Sequence, residues 1–176
     1  MQKILFLILL LFLTITKNIF AMNEKDIHSI ISEKYNVEIN LNVDKFQYFL
    51  GSDYIQGLNI PQNILKGMKL LKLSSDQGND YAHNALGLIY EFGNEKVKKD
   101  KNKAFKFFKL GSEKGNKFSL YNLALYYLRG IVVEKDVKKA VEYFKLSAMQ
   151  GYGFAQNDLG LLYERGEGVS KDLKKA

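Results

Sequence analysis

The side chains that most often carry out catalysis are scarce in this sequence of 176 residues. It contains no cysteine and only two histidines, His28 and His83, which are too far apart along the chain to give the ligand spacing of a metal site. The patterns G-x-S-x-G, S-x-x-K, H-E-x-x-H and G-x-G-x-x-G and the P-loop are absent. The sequence therefore predicts no catalytic residue, no metal and no cofactor.

Basic residues offer electrostatic binding instead of catalysis. Lysines recur three residues apart, at Lys66, Lys69 and Lys72 and again at Lys103, Lys106 and Lys109, and the formal net charge is +7. This pattern predicts a solvated helix face that keeps the protein soluble, and the alternative is weak contact with an anionic membrane surface. His83 is expected to face solvent, or else to make a polar contact with a partner.

A sequence unit that recurs every 36 or 37 residues must position these side chains. The intervals are 36, 37 and 36 residues in two separate series, which are Gly57, Gly93, Gly130 and Gly166, and Tyr54, Tyr90, Tyr127 and Tyr163. In the unit at 79–115, apolar residues at three- and four-residue spacings predict helices over about 81–92 and 101–113, followed by Gly93 and Gly115. Self-similarity at this period indicates an array of helical repeats.

The fourth copy of the unit reads LGLLYERGEGVSKDLKKA, and the third copy has the same pattern at Ser119, Leu123, Ala124, Tyr127, Gly130, Asp136, Ala140, Tyr143, Phe144, Ala148 and Gly151. On these residues the unit resembles the Sel1-like repeat, a relative of the tetratricopeptide repeats with a slightly longer period. The resemblance implies an all-α fold, a right-handed α-solenoid of antiparallel helix pairs. The predicted repeats are 43–78 (degenerate), 79–115, 116–151 and 152–176 (truncated).

Partner-binding candidates follow from this resemblance, because the first helices of Sel1-like repeats line the concave face of the superhelix. The first-helix positions outside the repeat pattern are His83, Asn84, Glu91, Tyr121, Asn122, Tyr126, Gln156, Asn157 and Glu164. Asn84, Tyr121 and Asn157 occupy the same repeat position. A row of polar and aromatic side chains suits capture of a peptide, and solvent-facing residues without a binding role are the alternative. The aromatic residues of the repeat pattern itself are expected to be packing residues.

The amino-terminal residues predict export. Residues 1–21 have the form of a secretory signal peptide, with Lys3, an apolar run from Ile4 to Ile15, and Ala21 as the cleavage point. The run is shorter than the roughly 20 residues that span a bilayer. A periplasmic or secreted protein is therefore predicted, and an uncleaved segment that tethers it to the membrane is the alternative. Nucleic acid is not expected as a partner, and residues 22–42 are expected to cap the first repeat.

The fourth repeat reaches Ala176, where its second helix is expected to begin. Leu159, Leu162 and Tyr163 are therefore expected to be partly exposed, and self-association through this end is one prediction. The favoured function is an exported, non-catalytic adaptor or scaffold that binds a protein or peptide. The alternatives are a structural remnant and a cell-wall or β-lactam-type hydrolase. Secreted proteins of this type labelled as β-lactamases are cysteine-rich, unlike this chain.

Overall fold

The computed structural model describes residues 43–57, 60–172 and 174, which contain seven α-helices and no strand. The helices are α1 (Val43–Gln56), α2 (Ile64–Asp76), α3 (Asp80–Phe92), α4 (Lys101–Glu113), α5 (Lys117–Arg129), α6 (Val137–Met149) and α7 (Gly153–Arg165). None of the helices in the described part is long and apolar enough to cross a membrane. The signal peptide predicted at 1–21 and the cap predicted at 22–42 lie outside the described residues.

The helices pack in chain order. α1 packs on α2, α3 on α4 and α5 on α6, and each second helix also contacts the first helix of the next pair. First helices of neighbouring pairs touch as well, α1 with α3 and α3 with α5. This stacking of helix pairs confirms the predicted α-solenoid.

The helix ends follow from the residue types at the boundaries. Asn63, Asp100 and Asp136 each accept a hydrogen bond from the backbone N–H three residues further on, which starts α2, α4 and α6. Gly93 after α3 and Gly130 after α5 have φ values of +70° and +68°, a region that favours glycine. The prediction for α4 has the observed bounds, and α3 begins one residue earlier than predicted.

Asparagine side chains link consecutive repeats. Asn79 caps α3, and its Nδ2 donates to Asp44 Oδ2 of α1 at 2.8 Å. Asn116 caps α5 by accepting from two backbone N–H groups, and its Nδ2 donates to Asp80 Oδ2 of α3 at 2.8 Å. The corresponding residue before α7 is Tyr152, which makes no side-chain cap hydrogen bond. The first two junctions between repeats are therefore joined by polar contacts that the third does not repeat.

We expect Asn116→Ala to lower the free energy of unfolding by about 1–2 kcal/mol. The change removes the cap of α5, and it leaves the backbone N–H groups at the start of α5 and the carboxylate of Asp80 without this hydrogen-bond partner. Urea denaturation followed by circular dichroism measures this loss. Asn102→Ala is the control, since Asn102 is exposed on α4, and its change should stay within about 0.5 kcal/mol. Equal stability of the two variants would contradict a linking role for Asn116.

Apolar side chains fill the junction before α7. Leu162 is only 5% exposed, so the expectation that it would be partly exposed is wrong. It packs in a cluster with Phe144, Ala140 and Ala155, which means that the preceding repeat covers it. Leu159 and Tyr163 are half-buried, as expected.

Candidate partner-binding surface

Asn84, Tyr121 and Asn157 lie on α3, α5 and α7, which are the first helices of three successive repeats. Asn84 and Tyr121 are half-buried, whereas Asn157 is exposed. We call the side of α3, α5 and α7 that carries these three residues the first-helix face.

Two hydrogen bonds join α3 to α5 along this face. Asn122 Nδ2 donates to Asn84 Oδ1 at 3.1 Å, and the hydroxyl of Tyr126 donates to Glu91 Oε2. Tyr126 is only 3% exposed, and its burial, followed by the hydrogen bond to Glu91, holds its pKa above the ordinary value. These four predicted site residues therefore form two hydrogen-bonded pairs, and Tyr126 has almost no surface to offer to a partner.

A third hydrogen bond joins α5 to α7. The hydroxyl of Tyr121 donates to Asp158 Oδ2 at 3.1 Å. Burial, and then the charge of Asp158, raise the pKa of Tyr121 to about 12, so this hydroxyl stays protonated near neutral pH. The phenol therefore stays a hydrogen-bond donor at the joint between the two repeats.

The candidates on α7 are the accessible ones. Gln156, Asn157 and Glu164 are all exposed. Gln156 Nε2 donates to the carbonyl of Ala148 at 3.2 Å, and Asn157 Nδ2 donates to Asp158 Oδ1 at 3.4 Å. Both amides lie at the surface and can exchange these bonds for bonds to a partner.

His83 does not face solvent, so that expectation is wrong. Its side chain is 5% exposed, because α3 turns this position towards α2 and α4 rather than outwards. Burial lowers the pKa of the imidazole, which favours its neutral form. His83 is thus separated from the first-helix face.

A row of aromatic rings on the first-helix face was missed from the sequence. Tyr81, Phe118 and Phe154 each lie three residues before Asn84, Tyr121 and Asn157, and residues three apart share a helix face. The ring of Tyr81 lies 6.3 Å from that of Phe118, and Tyr152 lies 5.1 Å from Phe118 and 5.6 Å from Phe154 between ring centroids. We call Tyr81, Phe118, Tyr152 and Phe154 the aromatic row. Its members Tyr81, Phe118 and Phe154 recur after 37 and 36 residues, which is the signal that could have identified them.

Part of the lysine pattern has a role within the fold. Lys66, Lys103 and Lys139 lie over the rings of Tyr54, Tyr90 and Tyr127, with Nζ at 4.7, 5.2 and 4.4 Å from the ring centroids. A hydrogen bond to Tyr127 raises the pKa of Lys139. These cation–π contacts tie the second helix of a repeat to its first helix.

The stacked helix pairs, with polar and aromatic residues along their first helices, define a helical-repeat protein of the α-solenoid class. The chain belongs to the Sel1 repeat family, whose repeat matches residues 45–79, 80–116, 118–152 and 153–176. Sel1 repeats generally mediate protein–protein interactions.

Two solved structures resemble this chain. A Sel1 repeat protein from Oxalobacter formigenes is 26% identical, with a TM-score of 0.70 over 85% of this chain and 66% of that one. A protective antigen present in uropathogenic Escherichia coli strains, which displays an SLR fold, is 29% identical, with a TM-score of 0.69 over 84% of this chain and 30% of that one. The chain thus spans just under two thirds of the first protein and under a third of the second. No curated protein matches it.

Proposed function

We propose that this protein is an exported, non-catalytic adaptor that binds a peptide segment of another protein along its first-helix face. The aromatic row carries the proposal. Tyr81 is 46% exposed and Phe154 is 67% exposed, although exposure of a large aromatic side chain to water is energetically unfavourable. Rigid rings with accessible surface are the side chains that contribute most to binding at protein interfaces.

The surroundings of the row suit an extended peptide. Successive rings follow one another across three repeats, so a bound segment would meet an apolar contact in each repeat. The amide of Asn157 lies at the surface, three residues after Phe154 on the same helix face, and can bond the backbone of the segment. The hydrogen bonds of Tyr121 and Asn122 hold the first helices at fixed spacing, which reduces the entropy cost of binding.

Export is the part of the proposal that rests on sequence alone. The positively charged start, the apolar run and the small residue at Ala21 support a signal peptide in residues 1–21. The absence of cysteine is compatible with an oxidising compartment, since no unpaired thiol would be exposed to it. The partner would then be a protein of the cell envelope or of the medium.

The test is a crosslinking pull-down from the native envelope with the full chain. We expect Tyr81→Ala/Phe154→Ala to reduce capture of a specific partner at least about tenfold, since loss of two interface rings costs more than about 1.4 kcal/mol. Phe92→Ala is the matched control, because Phe92 is 74% exposed and lies outside the row. Asn157→Ala tests the polar contribution and should weaken capture less.

Two outcomes would refute this assignment. Capture that is equal for the double variant and the wild type would place the binding surface elsewhere. Capture of this chain alone would mean that the rings mediate self-association instead of binding another protein.

A further inference from the structure

The junction between α5 and α7 departs from the pattern of the two junctions before it. At the start of α5, Asn116 caps the helix and its Nδ2 donates to Asp80. One repeat further on, these two positions hold Tyr152 (116 + 36) and Lys117 (80 + 37), and α7 begins without a side-chain cap hydrogen bond. Both members of the linking pair have thus changed together, although the change removes a helix cap. Departures of this kind from the local rules of a fold occur mainly at functional sites.

Four aromatic rings meet at this junction. The ring centroid of Tyr152 lies 5.1 Å from those of Phe118 and Tyr121 and 5.6 Å from that of Phe154. We call these four residues the ring cluster, and Nζ of Lys117 lies 5.4 Å from the ring centroid of Phe118. Phe154 is exposed and the other three rings are half-buried. Each ring packs against at least two other rings, so a partner that binds here immobilises little that is free.

The polar groups of this junction are mainly hydrogen-bond donors. The hydroxyl of Tyr152 keeps accessible surface and makes no hydrogen bond in the described part of the chain. The amide of Asn157 is exposed, and Lys117 forms no ion pair with any described residue. In contrast, the carboxylate of Asp158 already accepts a hydrogen bond from Tyr121. A phenol, an amide and an ammonium group thus remain to donate to the acceptors of a partner.

A proline-rich segment matches this combination of rings and donors. Each proline lacks a backbone N–H and keeps its carbonyl, so the backbone of such a segment offers acceptors and few donors. In a helix the carbonyls bond within the segment, and an ordinary extended segment carries one N–H for every carbonyl. Proline-rich segments also adopt the polyproline II conformation before binding, and they dock on grooves lined with aromatic residues. The partial negative charge of their carbonyls therefore complements the donors and the ammonium group of Lys117.

We propose that the segment bound by the first-helix face is proline-rich and lies on the ring cluster in the polyproline II conformation. This assignment rests on the proposed function and names the chemistry of the bound peptide. The proline rings pack on Phe118, Tyr152 and Phe154. The carbonyls of the segment accept hydrogen bonds from Tyr152, Asn157 and Lys117.

The first test is fluorescence anisotropy of labelled decaproline with the full chain. The comparison peptide has the same length and alternates valine with serine, so it is extended but carries an N–H at every residue. Decaproline should bind at least about tenfold more tightly than this peptide. Equal affinities, or no binding of decaproline by the folded chain, would overturn the proposal.

The second test gives this junction the linking pair that the two preceding junctions have. Lys117→Asp/Tyr152→Asn should stay folded, because the backbone before α7 (φ −81°, ψ 105°) is extended like that before α5 (φ −62°, ψ 117°). It should bind decaproline at least about tenfold more weakly than the wild type. Lys138→Asp/Tyr143→Asn is the matched control, since it has the same composition and net charge but changes α6, outside the first-helix face. Circular dichroism melting shows whether each variant is folded, and equal losses of affinity in the two folded variants would contradict the assignment.

Competition in a crosslinking pull-down separates this assignment from the proposed function. Excess decaproline should displace a partner whose capture depends on Tyr81 and Phe154. If capture depends on these rings but decaproline does not displace the partner, the first-helix face binds a peptide of another composition, and only the proline-rich assignment fails. If capture does not depend on these rings, the proposed function fails and this assignment fails with it.

Discussion

Replacement of Phe108 by alanine is expected to lower the free energy of unfolding by about 3–5 kcal/mol. The ring is 1% exposed and lies against α3 at Gly87, where an added Cβ would come within 2.4 Å of Cε1 of the ring. On its other side, the ring meets Tyr126 of α5 at 5.7 Å between centroids. One side chain thus joins α4 to the first helix of its own repeat and to that of the next. Its removal leaves a cavity between three helices, and helix backbones cannot close it without separating other contacts.

The measurement is chemical denaturation of Phe108→Ala beside Phe107→Ala. Phe107 is adjacent in sequence, but it is half-buried and stacks on Tyr90 at 5.7 Å between centroids. Its truncation should cost clearly less, because less apolar surface returns to water and solvent can fill the space. Equal losses for the two variants would mean that Phe108 does not hold the junction together.

Gly111→Ser is expected to destabilise the protein by about 1–3 kcal/mol, although serine is the better helix former. A Cβ at Gly111 would lie 2.1 Å from Oγ and 2.7 Å from Cβ of Ser119 on α5. The equivalent pairs in the other repeats are Ser74 with Ala82 and Ser147 with Ala155. At the other two junctions the serine lies on the second helix and the smaller residue on the first helix of the next repeat. Between α4 and α5 the order is reversed, with the smaller residue at Gly111 and the serine at Ser119. Ser119 Oγ is left buried without a hydrogen-bond partner.

Adding Ser119→Ala should rescue this variant and restore at least wild-type stability. Ser74 Oγ and Ser147 Oγ donate to the carbonyls of Asp44 and Lys117, so a serine at 111 would reach the carbonyl of Asp80 and gain about 0.5–1.5 kcal/mol. Urea denaturation of both single variants and the double variant gives the coupling energy, expected at about 1–3 kcal/mol. Strictly additive effects would show that the two positions do not share space.

Much of the fold could be predicted because glycines recur at the same position of every repeat. Glycines with positive φ, such as Gly93 and Gly130, follow the helix ends, so the spacing of the glycines indicates the register of the helices without any knowledge of packing. The capping role of Asp100 could also be read locally, since an N-cap depends on residues three apart. These features are set within a single helix or turn, which is why one sequence sufficed.

The candidate site was predicted less well, because its properties depend on residues about 36 positions apart. His83 and Tyr126 are buried by helices from other parts of the chain, and no periodicity within α3 or α5 indicates which neighbour covers them. Lys66 and Lys103 were predicted to belong to a solvated face, yet each lies over a tyrosine of the preceding helix. The aromatic row could have been found by comparing equivalent positions between repeats instead of positions within one helix.

The reversed pair of Gly111 and Ser119 also affects how similar repeats avoid packing on the wrong neighbour. If α2 docked on α5 and skipped a repeat, Ser74 would meet Ser119, and two hydroxyl groups would compete for the space that one occupies. If α4 docked on α7, Gly111 would leave a void beside Ala155. Mismatched shapes of this kind raise the free energy of slipped intermediates, which are the characteristic traps of tandem-repeat chains. The reversed pair at one junction thus helps each second helix of this repetitive chain to pack on the correct first helix.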